Sequence, residues 1–246
     1  MFNWFKKSEL KKEATFDYSS IEVDMHSHVL PGIDDGAQTP EDSIELVKRM
    51  MDVGIKKIIA TPHIMADYYR NTAETINQSL GILKAELERQ KIDIAIEAAA
   101  EHYFDETFET RINDGKLMTM GDNYVLFEFS FISKPPNAVH IIQKLKELGY
   151  KPILAHPERY PYMDNDQFRA FRDWGLSLQL NTISLTGYYG KEVKKLAENL
   201  IDDQLVDFIS SDMHHLRHAD ALKEALRMPY LEKVLFDYPL KNILLR

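Results

Sequence analysis

The chain has 246 residues, of which 44% are hydrophobic and 28% are charged, so it holds enough apolar material for one large core. Its formal net charge of −9 disfavours nonspecific binding to nucleic acids and to anionic membranes. The absence of cysteine excludes disulfides, thiolate zinc sites, iron–sulfur clusters and cysteine nucleophiles, so any metal must be held by nitrogen and oxygen.

The amino terminus reads MFNWFKKSELKK, with too few apolar residues before the first lysine pair for a signal peptide. No apolar run reaches the roughly 18 residues that a membrane-spanning helix needs. We therefore expect a cytoplasmic protein without a transmembrane segment. We expect residues 1–19 to form an N-terminal extension, in which Phe2, Trp4 and Phe5 cover apolar surface or touch a membrane or partner. Residues 20–246 are expected to form a single domain.

Short β-rich runs alternate along the chain with amphipathic segments of helical length, a pattern typical of parallel strands joined by helical crossovers. The predicted strands are residues 21–25, 57–60, 94–98, 124–129, 152–155, 177–180 and 206–209. The predicted helices include residues 40–53, 72–90, 138–148, 166–174 and 191–201. Seven such units can form an open sheet or a closed barrel, and periodicity alone does not choose between them.

The first strand runs into two histidines and a glycine-flanked acidic loop. Alternation in an extended segment places His26 and His28 on the same side, so that two imidazoles face one point. In the loop that follows, either Asp34 or Asp35 can turn a carboxylate back over the end of the strand, or both can simply shape a turn. This pairing alone is a modest indication of a metal site.

Similar side chains follow most of the later strands. Six of the seven predicted strands end in His, Asp or Glu, roughly one group for each βα unit. Each has an alternative interpretation as a satisfied core group or a surface residue, although Glu128, amid large apolar residues, must be protonated, paired or metal-bound unless it points to solvent from an edge strand. A barrel brings such strand ends together. The further candidates are His63, Glu101, Glu128, His156, Asp212 and His214.

With one loop aspartate these residues make nine candidate ligands, more than the roughly four to six that one ion needs. We therefore expect two or three divalent ions, with at least one bridging carboxylate. Ligation by nitrogen and oxygen without sulfur suits Mn²⁺, Fe²⁺, Zn²⁺ or Co²⁺. Closely spaced metal ions lower the pKa of a shared water, which yields hydroxide near neutral pH, and clamp phosphoryl oxygens. The predicted chemistry is therefore hydrolysis.

Two arginines follow candidate ligands by three residues. Arg159 and Arg217 can neutralise phosphate oxygens, with a surface ion pair as the alternative role of each. Loop tyrosines after strands five and six can either flank an aromatic substrate or only cover the barrel mouth: Tyr160, Tyr162, Tyr188 and Tyr189.

Six segments carry these residues in a specific combination: HSHVLPGIDDG at 26–36, TPH at 61–63, AAEHYFD at 99–105, LFEFS at 126–130, AHPERY at 155–160 and SSDMHH at 210–215. With them the chain resembles the polymerase-and-histidinol-phosphatase superfamily, and within it the bacterial capsule and exopolysaccharide tyrosine phosphatases of the CpsB/CapC type. The resemblance covers about residues 20–240. It implies a distorted (β/α)7 TIM-like barrel with parallel strands and a trinuclear site, usually active with Mn²⁺. It also implies phosphotyrosine-protein phosphatase activity toward a bacterial tyrosine kinase that regulates polysaccharide synthesis and export.

The resemblance also implies roles for individual positions. The first ion is assigned to His26, His28 and Asp212, the bridge to Glu101, the second ion to Glu128 with His156, and the third to Asp35, His63 and His214. Arg159 corresponds to the arginine that contacts phosphate, and Arg217 would complete the clamp.

The alternatives are a small-molecule phosphatase acting on a substrate such as histidinol phosphate, a nuclease, which the net charge disfavours, and a metal-binding regulatory or scaffold module without activity. The oligomeric state, including a homo-oligomer, is left open.

Overall fold

The structure is a computed structural model that describes residues 14–246, so the expected contacts of Phe2, Trp4 and Phe5 lie outside the described residues. The strands within this range are β1 (Val23–Asp24), β2 (Lys57–Ala60), β3 (His63–Ile64), β4 (Ala95–Ala98), β5 (Glu101–Tyr103), β6 (Tyr124–Glu128), β7 (Lys151–Ala155), β8 (Ser177–Asn181) and β9 (Phe208–Ser210). The α-helices are α1 (Pro40–Met51), α2 (Ala73–Gln90), α3 (Phe108–Asn113), α4 (Ala138–Glu147), α5 (Asn165–Asp173), α6 (Lys191–Asp202), α7 (Leu216–Ala225) and α8 (Pro229–Asp237).

All strand pairs are parallel, and they form two sheets, in the orders β1-β2-β4 and β3-β5-β6-β7-β8-β9. The second and third predicted strands are each followed by a short further strand, β3 and β5. Pro62 lies at the first of these breaks and has no N–H to donate to a ladder. Across the breaks, the Ala99 N–H donates to the Ala60 carbonyl (2.8 Å) and the Glu101 N–H to the Pro62 carbonyl (3.1 Å). The two sheets therefore continue into one another as the wall of a barrel. Because β2 continues into β3 and β4 into β5, the nine strands make seven extended segments in this wall, and we call each of these segments a stave.

The first and last staves meet and close this wall. Ser27 and Met213 form a parallel bridge, and the His28 N–H donates to the Met213 carbonyl over 2.8 Å. Nearby, the Asp212 N–H donates to the His26 carbonyl over 2.9 Å. We call this contact between the first and last staves the seam. The fold is thus the distorted parallel barrel of seven βα units that was predicted.

A buried asparagine joins the other end of the seam, where β1 and β9 form no ladder. The Asn242 side chain donates to the carbonyls of Val23 (3.1 Å) and Ile209 (2.8 Å), and accepts from the Ile209 N–H (3.1 Å). Burial raises the pKa of the nearby Asp24 to about 6, even though Asp24 accepts bonds from Ser210 and Ser211. Polar side chains thus replace missing backbone pairs along the seam.

Side-chain caps mark the starts of four helices, α1, α2, α5 and α7. Thr39 and Asp42 form a capping box at the start of α1, with Pro40 in the first turn. Predicted helical bounds differ from the observed ones by at most two residues, whereas α3, α7 and α8 were not predicted. Among the described residues, no helix combines the length and hydrophobicity that crossing a bilayer would require.

Strand alternation sorts side chains between the barrel interior and the surrounding helices. Leu126, Ile153 and Phe208 belong to a small interior cluster, whereas their strand neighbours Phe127, Leu154 and Ile209 belong to the larger core that includes the helices. That larger core also takes in Tyr18, from within the predicted N-terminal extension. Glu128 shares the inward side of β6 with Leu126 because it lies two residues further along the strand. This places its carboxylate at the mouth of the barrel, which is the end formed by the carboxyl ends of the strands.

Candidate metal centre

All nine predicted ligands gather at the barrel mouth, and Glu101 lies at their centre. Its Oε2 lies 3.2 Å from His26 Nε2, 3.4 Å from His28 Nε2 and 3.1 Å from His63 Nδ1. Its other oxygen, Oε1, lies 3.1 Å from His156 Nε2. Glu101 begins β5 and is completely buried, so a single carboxylate is surrounded by four imidazoles. This is the arrangement expected of a bridging ligand.

The remaining ligands extend the cluster on both sides. Among residues 14–246, three groups have ligand atoms within 4.8 Å of one another: His28, Asp35, His63 and His214; His26, His28 and Glu101; and His63, Glu101 and Glu128. Asp212 approaches the second group, with Oδ1 3.4 Å from His26 Nε2, and His156 approaches the third, with Nε2 3.6 Å from Glu128 Oε2. The overlapping groups resemble the three ligand sets that the sequence motifs imply.

Buried atoms without hydrogen bonds show that these residues fit divalent cations. Glu101 Oε2 and His63 Nδ1 are both buried and form no hydrogen bond, although they lie only 3.1 Å apart. Buried polar atoms are nearly always paired, so two unpaired atoms at this separation call for a shared partner. Nitrogen and oxygen donors in this number suit Mn²⁺, Fe²⁺, Zn²⁺ or Co²⁺.

The electrostatics of the cluster point the same way. Burial would lower the pKa of His28, but the carboxylates of Asp34 and Glu101 outweigh burial and hold that pKa well above its usual value. Burial would likewise raise the pKa of Glu101, but His26 and His63 hold it well below the usual range. The pocket therefore keeps the Glu101 carboxylate ionised in a buried setting and favours positive charge beside it.

Two side chains behind the cluster orient its histidines. His28 Nδ1 donates to Asp34 Oδ2 (2.7 Å), and His26 Nδ1 donates to Gln179 Oε1 (2.8 Å). Since both acceptors bind the Nδ1 protons, each ring presents Nε2 to the centre of the cluster, as the atom that a cation would bind. Asp35, in contrast, faces the cluster itself, and its Oδ1 lies 3.5 Å from His63 Nε2. The structure thus separates the two aspartates that the loop pattern left open.

Unusual backbone conformations aim other residues into the mouth. His156 follows β7 with a φ of 32°, and Asp212 follows β9 with a φ of 52°, both in the left-handed region that non-glycine residues seldom adopt. At Gly36 an added Cβ would lie 1.9 Å from the carbonyl oxygen of His28, so the acidic loop approaches the first stave too closely for any other residue.

The two candidate arginines lie in different places. Arg159 lines the metal pocket, with Nη1 3.3 Å from Asp212 Oδ2 and a side chain that is 24% exposed. Arg217 is exposed on the first turn of α7 and lines a separate groove with Gln38 and Asp42. Because α7 begins at Leu216, successive side chains turn by about 100°, and His218 lines the pocket instead. The structure thus does not bring Arg217 to the proposed clamp.

Two of the four predicted loop tyrosines line the pocket, and two do not. Tyr188 and Tyr189 line the pocket, which has a volume of about 640 Å³. Tyr160 is completely buried, where its hydroxyl accepts from the Phe129 N–H and donates to the Ala155 carbonyl. Tyr162 donates to the Ser130 carbonyl over 2.6 Å. The latter two therefore hold the loops together and do not line the pocket.

Several residues of the site were not among the predicted candidates. Asn181 donates to Asp212 Oδ2 over 2.9 Å, and Tyr69 stacks on His63 with ring centroids 5.6 Å apart. Gln179 and Asn181 carry a usable signal, since Gln179 lies between two leucines of a predicted strand and Asn181 directly follows that strand. Phe131, Tyr69 and His218 carry no such signal, because their places depend on loop and helix geometry.

Comparisons with known proteins relate this site to characterised enzymes. The family model "Capsular polysaccharide synthesis, CpsB/CapC" matches residues 22–243. The tyrosine-protein phosphatase YwqE of Bacillus subtilis (strain 168) is 30% identical over 198 residues, which cover 79% of this chain and 78% of YwqE. The putative tyrosine-protein phosphatase CapC of Staphylococcus aureus is 29% identical over 218 residues, or 87% and 82% of the two chains.

Solved structures extend the comparison. A structure described as belonging to YwqE from Bacillus subtilis and CpsB from Streptococcus pneumoniae, unique metal-dependent tyrosine phosphatases, has a TM-score of 0.77 at 27% identity and covers 89% of this chain and 96% of that one. A mutant organophosphorus hydrolase has a TM-score of 0.54 at 13% identity, with 95% and 97% of the chains covered. The latter similarity shows the barrel fold alone.

Proposed function

Because this chain belongs to the CpsB/CapC family, as its motifs predicted, we propose that it is a metal-dependent tyrosine-protein phosphatase whose reaction takes place at the barrel mouth. The observation that carries the proposal is the convergence of four imidazoles on Glu101, in the pocket that Arg159 also lines. A cation cluster with a separate positive group beside it can stabilise the negative charge of a phosphate monoester during hydrolysis.

The proposed ligands are those that the sequence predicts. His26, His28 and Asp212 would hold the first ion, Glu128 and His156 the second, and Asp35, His63 and His214 the third, with Glu101 as the bridge. Two or three divalent cations bound there, most readily Mn²⁺, would neutralise phosphate charge and lower the pKa of a water molecule. Asp34 and Gln179 keep two of the histidines in the tautomer that ligation requires.

Arg159 is the group proposed to bind the phosphate. Its guanidinium contacts Asp212, the proposed ligand at the edge of the cluster. Burial alone would lower the pKa of Arg159, but Asp212 and other neighbours raise it above the usual value, so the side chain stays charged. A planar guanidinium can offer two donors to two phosphate oxygens. Arg159 therefore supplies fixed positive charge where the ester's negative charge must be accommodated.

The shape of the surface favours a protein substrate over a small metabolite. The metal pocket shares Met65, Tyr68 and Tyr103 with a neighbouring groove of about 490 Å³, which leaves room for residues that flank a phosphotyrosine. We propose that this chain acts in the cytoplasm on a bacterial tyrosine kinase that regulates polysaccharide synthesis and export. The family description supports the connection with capsular polysaccharide synthesis.

A substrate panel tests this function. The purified chain is stripped with chelator, reloaded with Mn²⁺, and assayed with a phosphotyrosine peptide, a phosphoserine peptide and histidinol phosphate, while its metal content is measured. We expect turnover of the phosphotyrosine peptide that chelation abolishes and Mn²⁺ restores, with no effect of thiol alkylation. Preference for histidinol phosphate would identify a small-molecule phosphatase. Stable metal binding without turnover of any substrate would identify a scaffold module.

A further inference from the structure

The guanidinium of Arg159 lies against two aromatic rings. Its central carbon is 4.4 Å from the centroid of the Phe131 ring and 4.5 Å from that of Tyr189. Both distances are well within the range of cation–π contacts, and the guanidinium is mostly shielded from solvent. The N–H donors of a guanidinium point outward in its own plane, so contacts between its central carbon and ring faces do not use up those donors.

The two rings are themselves held by the fold. Phe131 follows β6 and stacks on Tyr160, with centroids 5.9 Å apart and planes inclined by 27°. Tyr160 is fixed in turn by its two backbone hydrogen bonds. On the other wall, Tyr189 packs edge-on against Tyr188 with centroids 5.1 Å apart. The aromatic contacts therefore connect the guanidinium to loops from two separate staves.

We propose that Phe131 and Tyr189 are positioning residues that fix the Arg159 guanidinium before the substrate arrives, with its free donors directed into the metal pocket. The inference rests on the proposed function of that pocket. A free arginine side chain has many rotamers, and ordering it on binding would cost conformational entropy. The Asp212 contact holds one nitrogen at 3.3 Å, and the two ring contacts restrict the position of the central carbon. Together they pre-organise the fork that binds phosphate.

A double-mutant cycle tests whether the rings act through Arg159. Phe131→Leu and Tyr189→Leu are made in the full chain, with and without Arg159→Ala, and all variants are loaded with Mn²⁺. The readouts are kcat/KM for an aryl phosphate, the Kd of inorganic phosphate by calorimetry, the metal content and Tm. Tyr189→Phe keeps the ring, and Phe236→Leu removes a half-exposed ring on α8, remote from the pocket, as a matched control.

We expect each Leu variant to lower kcat/KM and weaken phosphate binding about five- to thirtyfold when Arg159 is present. In the Arg159→Ala background the same changes should alter both readouts by less than about twofold. Phe236→Leu should also stay within about twofold of its parent, with metal content unchanged throughout. Tyr189→Phe, which keeps the ring, should retain more of both readouts than Tyr189→Leu.

Two results would overturn the inference. Leu variants that match their parent would show that the rings do not position Arg159, and equal losses with and without Arg159 would show that they act on the substrate directly. Should Phe131→Leu unfold, Phe131→Met replaces it, since methionine keeps the apolar volume without the ring. Absence of turnover in the unmutated chain would instead contradict the proposed function, while phosphate binding would still test the positioning role.

Discussion

Glu101 is the single residue on which most of the barrel mouth depends, because its two oxygens face four imidazole nitrogens within 3.4 Å. Glu101→Gln keeps the size of the side chain but removes the charge that lets it bridge cations. We expect metal affinity to fall by at least about 10–100-fold and kcat to collapse, with the fold retained. Metal analysis, kinetics and circular dichroism on the same preparation would measure these effects.

The matched control is Glu97→Gln, because Glu97 lies on β4 and pairs at the surface with Lys57. It should keep the metal content and rate of the unmutated chain. If Glu101→Gln also kept both, Glu101 would have only a structural role.

Arg159 carries a separate prediction, because its proposed role is to bind the phosphate of the substrate and not the cations. We expect Arg159→Ala to leave the metal content unchanged and to lower kcat/KM by about 10²–10³, or roughly 2.7–4 kcal/mol. Arg159→Lys should restore little, since lysine supplies a point charge in place of a fork. Steady-state kinetics on an aryl phosphate would measure both variants.

Arg217→Ala is the natural comparison, and its loss should be smaller because Arg217 is exposed beside a different groove. An Arg159→Ala enzyme within about threefold of the unmutated chain would mean that the cations alone hold the phosphate.

At this scale the sequence was most informative where a side chain's direction follows from strand alternation. His26 and His28 were predicted in this way, and both belong to the ligand groups at the mouth. Glu128 was predicted on a different ground, because a carboxylate amid large apolar residues needs a partner. Asp34 and Asp35 could not be separated by pattern, because a loop has no fixed period and only the contact of Asp34 with His28 distinguishes them. Arg217 lies away from the metal pocket because the chain has entered α7 by that residue, so its direction follows the helical period and not its spacing after His214.

Among the elements, the acidic loop at residues 32–36 is the one whose backbone is most confined. Gly36→Ala would place a Cβ 1.9 Å from the His28 carbonyl oxygen, so the loop must shift and carry Asp34 and Asp35 with it. We expect a loss of about 1–3 kcal/mol in the free energy of unfolding and about 10–100-fold in metal affinity. Denaturant unfolding in chelator and metal titration would measure the two effects separately.

Gly81→Ala provides the control, since no atom lies within 4 Å of the added Cβ and Gly81 lies inside α2. It should raise stability by up to about 1 kcal/mol and leave metal affinity unchanged. Unchanged metal affinity in Gly36→Ala would show that the loop does not place a ligand.

The elements also show where the sequence pattern reaches its limit. Residues 57–60 and 94–98 were predicted as single strands, and β2 and β4 match them closely. The continuations β3 and β5 were missed because each holds only two or three residues, too few to show a period. These short strands carry His63 and Glu101, so the least predictable part of the sheet holds two central ligands.

For the molecule as a whole, closure of the barrel depends on Asn242. Asn242→Leu would leave the Val23 and Ile209 carbonyls and the Ile209 N–H without their partners in a buried seam. We expect the free energy of unfolding to fall by at least about 2 kcal/mol in chelator. Asn77→Leu, at an exposed position of α2, should change it by less than about 0.5 kcal/mol. Equal stabilities for the two variants would show that the seam does not need this side chain.

The seam couples the fold to the supply of metal ions. His26 and His28 extend from the first stave and Asp212 and His214 from the last, and the Ser27–Met213 bridge joins them. A cation bound by these proposed ligands would link the first stave to the last. A chain whose seam has separated could not bring both sets of ligands to one ion, so the cation would bind the closed barrel in preference. By mass action, a free ion at about 100 times its Kd then adds about 2.7 kcal/mol to the stability of the closed form. Cellular metal availability would thus set both how fast this protein works and how long each copy survives.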